Sequence, residues 1–153
     1  MKFISHFQCV ECGTEYLIDE PMNLCPKDGR PVQFKLNVEA IASAYKDMSW
    51  YLPEQQSMWR FGPLLPFDIS QNTEQVCTLG EGNTPLLDVS TYSLFESEFK
   101  SIFIKDEGQP HEGYGCNPTG SFKDRGMAMV VTMAKHYGLD KLVVPLKEML
   151  ATL

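Results

Sequence analysis

Hydrophobic and polar residues follow two different periods along this chain, which predict short strands and two helices. Alternation over residues 3–9 and 32–36 predicts two strands near the N-terminus. Apolar residues spaced three or four apart then predict one helix face, formed by Val38, Ile41, Tyr45, Met48 and Leu52. Asn37 is suited to cap this helix, and Pro53 is expected to stop it.

The second half of the chain has a strand–helix–strand pattern. Residues 101–105 and 141–144 are short apolar runs, and the helical pattern of residues 122–137 between them stops before Gly138. Such a crossover normally joins parallel strands in the right-handed sense. The sequence therefore predicts an α/β fold class with a βαβ unit and a parallel sheet.

Three of the five cysteines lie near the N-terminus with the spacing of metal ligands. Cys9 and Cys12 form a Cys-x2-Cys pair, Cys25 follows twelve residues later, and Asp28 stands where a zinc ribbon has its fourth cysteine. Zinc accepts carboxylate oxygen, so these four residues are a candidate site. His6 is an alternative fourth ligand, and a metal-free ribbon held by apolar packing is the other alternative.

Composition excludes few classes of function but points away from polyanions. The 13 basic and 20 acidic residues give a net charge of -7, which disfavours nucleic acid and anionic membrane surfaces as partners. We find no signal-peptide core and no apolar run of membrane-spanning length. We therefore expect a cytoplasmic protein, with one moderate domain or a small domain plus part of a larger one in its 153 residues.

Lys123 lies at the predicted start of the second helix, in "NPTGSFKDRG". Ser121 and Asp124 fit a capping box with Ser121 at the N-cap. A cation is disfavoured at a helix start, by about 0.3–1 kcal/mol when exposed, whereas an anion is favoured there. An amine with a lowered pKa beside an anion site favours a Schiff base with pyridoxal phosphate. An ordinary solvated lysine behind a helix cap is the alternative.

This segment resembles the pyridoxal-phosphate lysine signature of threonine synthases, within the tryptophan synthase β-like (fold type II) family. The segments "MWRFGPLLP", "LGEGNTPLL" and "IKDEGQ" resemble further family segments in the same order. The resemblance implies that Lys123 is the Schiff-base lysine and proton carrier and that Phe122 lies against the cofactor ring. It also implies that Asn117, Thr119 and Ser121 shape the loop that holds the lysine.

For function, the resemblance implies a small amino-acid substrate, O-phosphohomoserine, converted to threonine and phosphate. A cysteate synthase or a threonine dehydratase-like enzyme is the alternative within the family, and a non-catalytic zinc-ribbon binding module is the alternative outside it. For the full-length parent protein an oligomer is left open.

Composition divides the chain into three parts. Residues 1–36 are expected to form a zinc-ribbon-like domain, residues 37–75 a helix and connecting segment, and residues 76–153 the N-terminal part of a truncated, inactive fold type II domain. Residues 110–116 are an insertion relative to the family pattern. We expect them to form either a lid or a surface bulge. With suitable codons, a one-nucleotide shift of the reading frame over residues 146–153 encodes Gly-Asn-Ala-Gly. Because this sequence resembles a segment that follows in the family, we expect a frameshift there.

Overall fold

The computed structural model describes residues 3–18, 21–67, 69, 72–92 and 100–144. The strands are β1 (Ile4–Cys9), β2 (Glu15–Tyr16), β3 (Val32–Leu36), β4 (Leu86–Asp88) and β5 (Phe103–Lys105), and the helices are α1 (Val38–Ala44) and α2 (Lys123–His136). Two 3-10 segments, Met58–Leu64 and Thr73–Gln75, lie between α1 and β4. The expected frameshift falls outside these residues. No described helix is long and apolar enough to cross a membrane.

The N-terminal strands form an antiparallel sheet in the order β2-β1-β3. Phe7 lies opposite Phe34 on one side and Tyr16 on the other, and the two phenylalanine rings are 4.5 Å apart. Phe7 and Cys9 are buried, as alternation predicts for one face of a strand, whereas a register shift between Ile4 and His6 leaves both Phe3 and Ile4 buried. The two strands predicted near the N-terminus are therefore confirmed.

Helix α1 is shorter than its hydrophobic pattern predicts. The Asn37 cap is confirmed, because its side chain accepts a hydrogen bond from the Ala40 amide at 2.9 Å. The helix nevertheless ends at Ala44, and Met48 has a φ of 57° that no α-helix accommodates. Val38 and Tyr45 are 65% and 67% exposed, so the predicted face packs against little and does not sustain a longer helix.

The aromatic segment Met58–Leu64 packs against α2. Trp59 is 2% exposed and contacts the buried Phe67 edge-on, with ring centroids 6.2 Å apart. Ala128 of α2 completes this core. Thr132, which is fully buried on the same helix, accepts a hydrogen bond from the Cys77 amide at 3.0 Å.

Helix α2 also meets the N-terminal sheet. The Tyr137 hydroxyl, just after the helix, donates to the Ile18 carbonyl at 3.3 Å. An apolar cleft of about 490 Å³ lies between the sheet and the helix, with Phe7, Phe34 and Met133 in its lining. The predicted helix end is confirmed, since Gly138 adopts a φ of 65° directly after it.

The predicted parallel sheet and βαβ unit are wrong for the described residues. Strand β5 pairs with β4 in the antiparallel sense, and the predicted strand at residues 141–144 has no ladder partner among the residues described. The reason lies in packing: α2 covers the Met58–Leu64 segment rather than β5, whose Phe103 and Ile104 stay 53% and 43% exposed. Val143 is 94% exposed, so no burial stabilises a strand there.

Candidate functional site

Lys123 is the first residue of α2, and its side chain is exposed to solvent. Phe122 occupies the N-cap position and is 60% exposed. The capping box differs from the predicted one. The Ser121 hydroxyl accepts a hydrogen bond from the Lys123 amide at 3.3 Å. The Asp124 carboxylate instead accepts from the amide and the hydroxyl of Thr119, at 2.7 and 2.6 Å. Asp124 therefore closes the loop before the helix.

The buried Asn117 side chain connects three segments of the chain. Its Oδ1 accepts from the Gly82 amide at 3.2 Å, and its Nδ2 donates to the carbonyl of Glu107 at 3.1 Å and to Glu107 Oε2 at 2.6 Å. The same Oε2 pairs with Arg125 Nη1 at 2.6 Å. The loop at Gly82, the segment after β5 and the first turn of α2 are thereby held in one arrangement.

The contact between Glu107 and Arg125 favours the charged form of the Glu107 carboxylate. The hydrogen bond from Arg125 lowers the pKa of Glu107 below its ordinary value. The hydrogen bond from Asn117 adds to this effect, and partial burial opposes it. Next to it, His111 Nε2 lies 2.8 Å from Asp106 Oδ2, and this contact lowers the pKa of Asp106, with further help from the amides of Gly108 and Gln109. Both carboxylates therefore stay ionised to a lower pH than an unpaired carboxylate would.

The 110–116 segment is packed at its C-terminal end. The Gly115 amide donates to the Asn83 carbonyl at 3.1 Å, and a Cβ on Gly115 would lie 2.2 Å from the carbonyl oxygen of Gly82. Asn83 itself adopts a φ of 52° and accepts a hydrogen bond from Arg60. This end of the segment therefore contacts the Gly82 loop directly, while Tyr114 is 54% exposed.

A second cleft of about 490 Å³ lies between residues 76–81 and α2. Its lining includes Glu81, Thr119 and Asp124, but not Lys123. Glu81 is 4% exposed and accepts from the Thr78 hydroxyl at 2.6 Å and the Leu79 amide at 2.8 Å. These bonds satisfy the buried carboxylate and fix the turn that precedes Gly82.

The four predicted metal ligands come together at the end of the N-terminal sheet. The Sγ atoms of Cys9, Cys12 and Cys25 and a carboxylate oxygen of Asp28 all lie within 4.8 Å of one another. Cys9 Sγ is 3.4 Å from Asp28 Oδ2, and Cys12 Sγ is 3.7 Å from Cys25 Sγ. Three thiols and a carboxylate converging on one point fit a divalent cation. This cluster can hold a metal ion.

His6 is not part of this cluster. Its Nδ1 is 2.9 Å from the Ser5 hydroxyl, and its Nε2 is 3.5 Å from Glu15 Oε1. Of the two fourth ligands that the sequence left open, the geometry selects Asp28.

The ligand side chains already have anion-stabilising neighbours. The Arg30 amide, which donates to Asp28 Oδ1 at 3.0 Å, is the main reason that the pKa of Asp28 is lowered to about 2, although burial opposes it. Burial alone would raise the pKa of the Cys25 thiol. Hydrogen bonds, of which the one with the Tyr16 hydroxyl has the largest effect, outweigh burial and lower this pKa. The same contact raises the pKa of Tyr16 to about 12.

The chain is similar to threonine synthases over most of its length. The chain is 36% identical to a threonine synthase of Methanosarcina acetivorans over 137 residues, which cover 88% of the chain and 29% of the relative. It is 30% identical to that of Methanocaldococcus jannaschii over 139 residues, 87% of the chain and 30% of the relative. With that of Halalkalibacterium halodurans it shares 51% identity over 61 residues, 40% of the chain and 15% of the relative.

The chain is homologous to the N-terminal portion of threonine synthases. It spans less than a third of the length of the threonine synthases that it matches over most of its own length. No family model matches the chain, and no solved structure matches it significantly.

The predicted cofactor residues differ in burial. Asn117 is buried, whereas Thr119 and Phe122 are exposed. Sequence reasoning missed Glu107 and Arg125 as residues that fix this loop. Glu107 lies in the segment "IKDEGQ" and Arg125 in "NPTGSFKDRG", both of which resemble the family. Only the fold shows that the two residues pair.

Proposed function

We propose that this chain forms the cofactor-lysine segment of a pyridoxal-phosphate-dependent enzyme of the threonine synthase type. The proposed reaction converts O-phosphohomoserine to threonine and phosphate. The observation that carries the proposal is the placement of Lys123 at the first residue of α2, on a loop held by the contacts of Asn117 and Glu107. Because the homology covers less than a third of the relatives' length, the reaction is proposed for a complete protein that carries this segment.

The residues around Lys123 fit such a group in two respects. Its ε-amine is exposed and has no hydrogen-bond or ion-pair partner among the described residues, so it is free to hold an aldehyde cofactor. The neighbouring Phe122 ring is also open to solvent, and it can cover one face of a planar ring.

Pyridoxal phosphate, when bound, supplies an electron sink for carbanions at the substrate's carbon atoms. The protein's part is to place one amine. The Nζ atom of Lys123 is suited to take up a proton from the substrate and return it, because it lies on a flexible side chain anchored by a fixed backbone. That anchor is provided by the Ser121 hydroxyl on the Lys123 amide and by the Arg125 pair with Glu107.

The test is site-selective labelling of this chain with less than one equivalent of pyridoxal phosphate, followed by borohydride reduction and peptide mapping. We expect the label on Lys123 and little on Lys141, which is equally a solvent-exposed lysine. Lys123→Arg, which keeps the charge, is expected to abolish the selective label. Equal labelling of Lys123 and Lys141, or undiminished uptake by the Lys123→Arg variant, would refute the assignment.

A growth assay tests the reaction itself. A complete protein carrying this segment is expected to restore growth of a threonine auxotroph that lacks threonine synthase. The Lys123→Arg variant is expected to fail and the matched Lys141→Arg variant to succeed. Growth with Lys123→Arg would contradict the proposed role.

We further propose that Cys9, Cys12, Cys25 and Asp28 bind one zinc ion that stabilises the N-terminal sheet. The supporting observation is that all four ligand atoms lie within 4.8 Å of one another, on two turns whose cysteines Cys12 and Cys25 are 13 positions apart. A metal bridging two turns contributes its binding free energy to folding. We expect one equivalent of zinc by elemental mass spectrometry and a lower unfolding temperature after chelation. A protein prepared with zinc that carries less than about a tenth of an equivalent would refute this site.

A further inference from the structure

Three of the four metal ligands, Cys9, Cys25 and Asp28, have a hydrogen-bond partner that donates or can donate to the ligand atom. The amides of Glu11 and Cys12 donate to Cys9 Sγ at 3.4 and 3.5 Å, and the Arg30 amide donates to Asp28. The Cys12 thiol donates to the Thr14 hydroxyl at 3.2 Å, and the Tyr16 hydroxyl lies 3.0 Å from Cys25 Sγ. The last two contacts are made by side chains, so they can be removed without changing the backbone.

The charge of the site explains why these donors matter. Three thiolates and one carboxylate carry four negative charges, and a divalent cation offsets only two of them. The excess negative charge is concentrated on sulfur, in a place where Cys9 and Cys25 are each 2% exposed and little water reaches them. Hydrogen bonds to the sulfur atoms therefore take the place of water.

Tyr16 is well placed to supply such a bond. It lies in β2, where pairing with Phe7 of β1 fixes its backbone. A phenol stays protonated at neutral pH, and a metal-bound thiolate has no proton to give, so the hydroxyl is the donor in this contact.

We propose that Tyr16 is a positioning residue for the metal. The Tyr16 hydroxyl holds Cys25 Sγ in the ligand geometry and withdraws electron density from this sulfur atom. This inference rests on the proposed zinc site and adds a specific outer residue to it. Outer hydrogen bonds of this kind orient ligands and tune the metal that they bind.

The experiment uses Co²⁺ as a spectroscopic substitute for zinc in the full chain, comparing the unmodified protein with Tyr16→Phe. The phenylalanine ring keeps the packing of Tyr16 and removes only the hydroxyl. We expect the dissociation constant for Co²⁺ to rise by about tenfold, the low end of what outer ligand partners contribute. We also expect the sulfur-to-cobalt charge-transfer band to move to longer wavelength, since a thiolate without its donor is easier to oxidise.

Tyr45→Phe is the matched control, because Tyr45 also carries a hydroxyl but stacks on Trp50 and is 67% exposed. We expect this variant to bind Co²⁺ as the unmodified protein does. An affinity of Tyr16→Phe within twofold of the unmodified protein, with an unchanged band, would overturn the inference and leave the zinc site standing. Equal weakening by both variants would also overturn it. Failure of the unmodified chain to bind Co²⁺ would overturn both proposals.

Discussion

Asn117 and Arg125 donate to the same carboxylate oxygen, Oε2 of Glu107, and each of the two hydrogen bonds is 2.6 Å long. One residue comes from the loop before α2 and the other from the first turn of the helix. Lys123 lies between them in sequence. Its backbone position is therefore set by a contact that involves neither its own side chain nor a ligand.

Glu107→Gln is expected to lower the free energy of unfolding by about 1 kcal/mol. The Glu107 side chain is 24% exposed and its Arg125 partner 33%, so solvent screening reduces the value below that of a fully buried charged hydrogen bond. Urea denaturation measures the difference. Glu112→Gln, in the exposed part of the 110–116 segment, serves as the control and is expected to leave stability unchanged. Equal effects of the two substitutions would show that the Arg125 contact contributes nothing.

The contribution of Glu107 is expected to depend on pH in a defined direction. Its pKa is lowered in the folded protein, mainly by Arg125, so the unfolded chain binds its proton first as the pH falls. The extra stability is fully present above the ordinary glutamate pKa of about 4.3 and is lost as the pH falls through the lower folded pKa. The stability difference between the unmodified protein and Glu107→Gln should therefore narrow between pH 6 and pH 3 in urea titrations. A constant difference over that range would contradict the assignment.

Asp28 and His6 are expected to respond differently to substitution. Asp28→Ala removes a ligand of the cluster. Loss of an outer hydrogen bond typically raises the dissociation constant of a metal by about 10–100-fold, and loss of this ligand should raise that for zinc by more. His6→Ala should leave zinc affinity unchanged, because His6 faces Ser5 and Glu15 instead. Competition with a chromophoric chelator measures both constants. Loss of affinity in His6→Ala alone would restore the alternative fourth ligand.

Two glycine substitutions should shift stability in opposite directions. Gly115→Ala places a methyl group 2.2 Å from the Gly82 carbonyl oxygen and should destabilise the fold by about 1–3 kcal/mol. Gly126→Ala, in an exposed position of α2 where a Cβ meets nothing within 4 Å, should stabilise it by about 0.5–1 kcal/mol. Thermal unfolding of both variants checks the signs. A neutral Gly115→Ala would mean that the 110–116 segment does not pack on the Gly82 loop.

Features set by neighbours in sequence could be predicted from the sequence. Asn37 caps a helix through the amide three residues ahead, and Gly138 ends another through its own backbone angle. The convergence of Cys9, Cys12, Cys25 and Asp28 was also predictable, because a Cys-x2-Cys turn fixes the direction of both thiols.

Features that depend on distant packing could not be predicted in the same way. The pattern of residues 141–144 suits a strand, but a strand forms only where another strand offers hydrogen bonds and a helix covers its face. Helix α2 packs on Trp59 instead, and β5 pairs with β4. The Glu107–Arg125 pair spans 18 positions, a distance at which no local period reports on contact.

The hydrogen bond between Tyr137 and Ile18 gives α2 a second attachment, at the end opposite to Lys123. The helix has 14 residues and is therefore about 21 Å long, at a rise of about 1.5 Å per residue. The contacts of Asn117 and Arg125 with Glu107 hold its other end, so the helix is fixed at both ends. It therefore acts as a strut that sets a constant spacing between the Ile18 carbonyl and the backbone of Lys123.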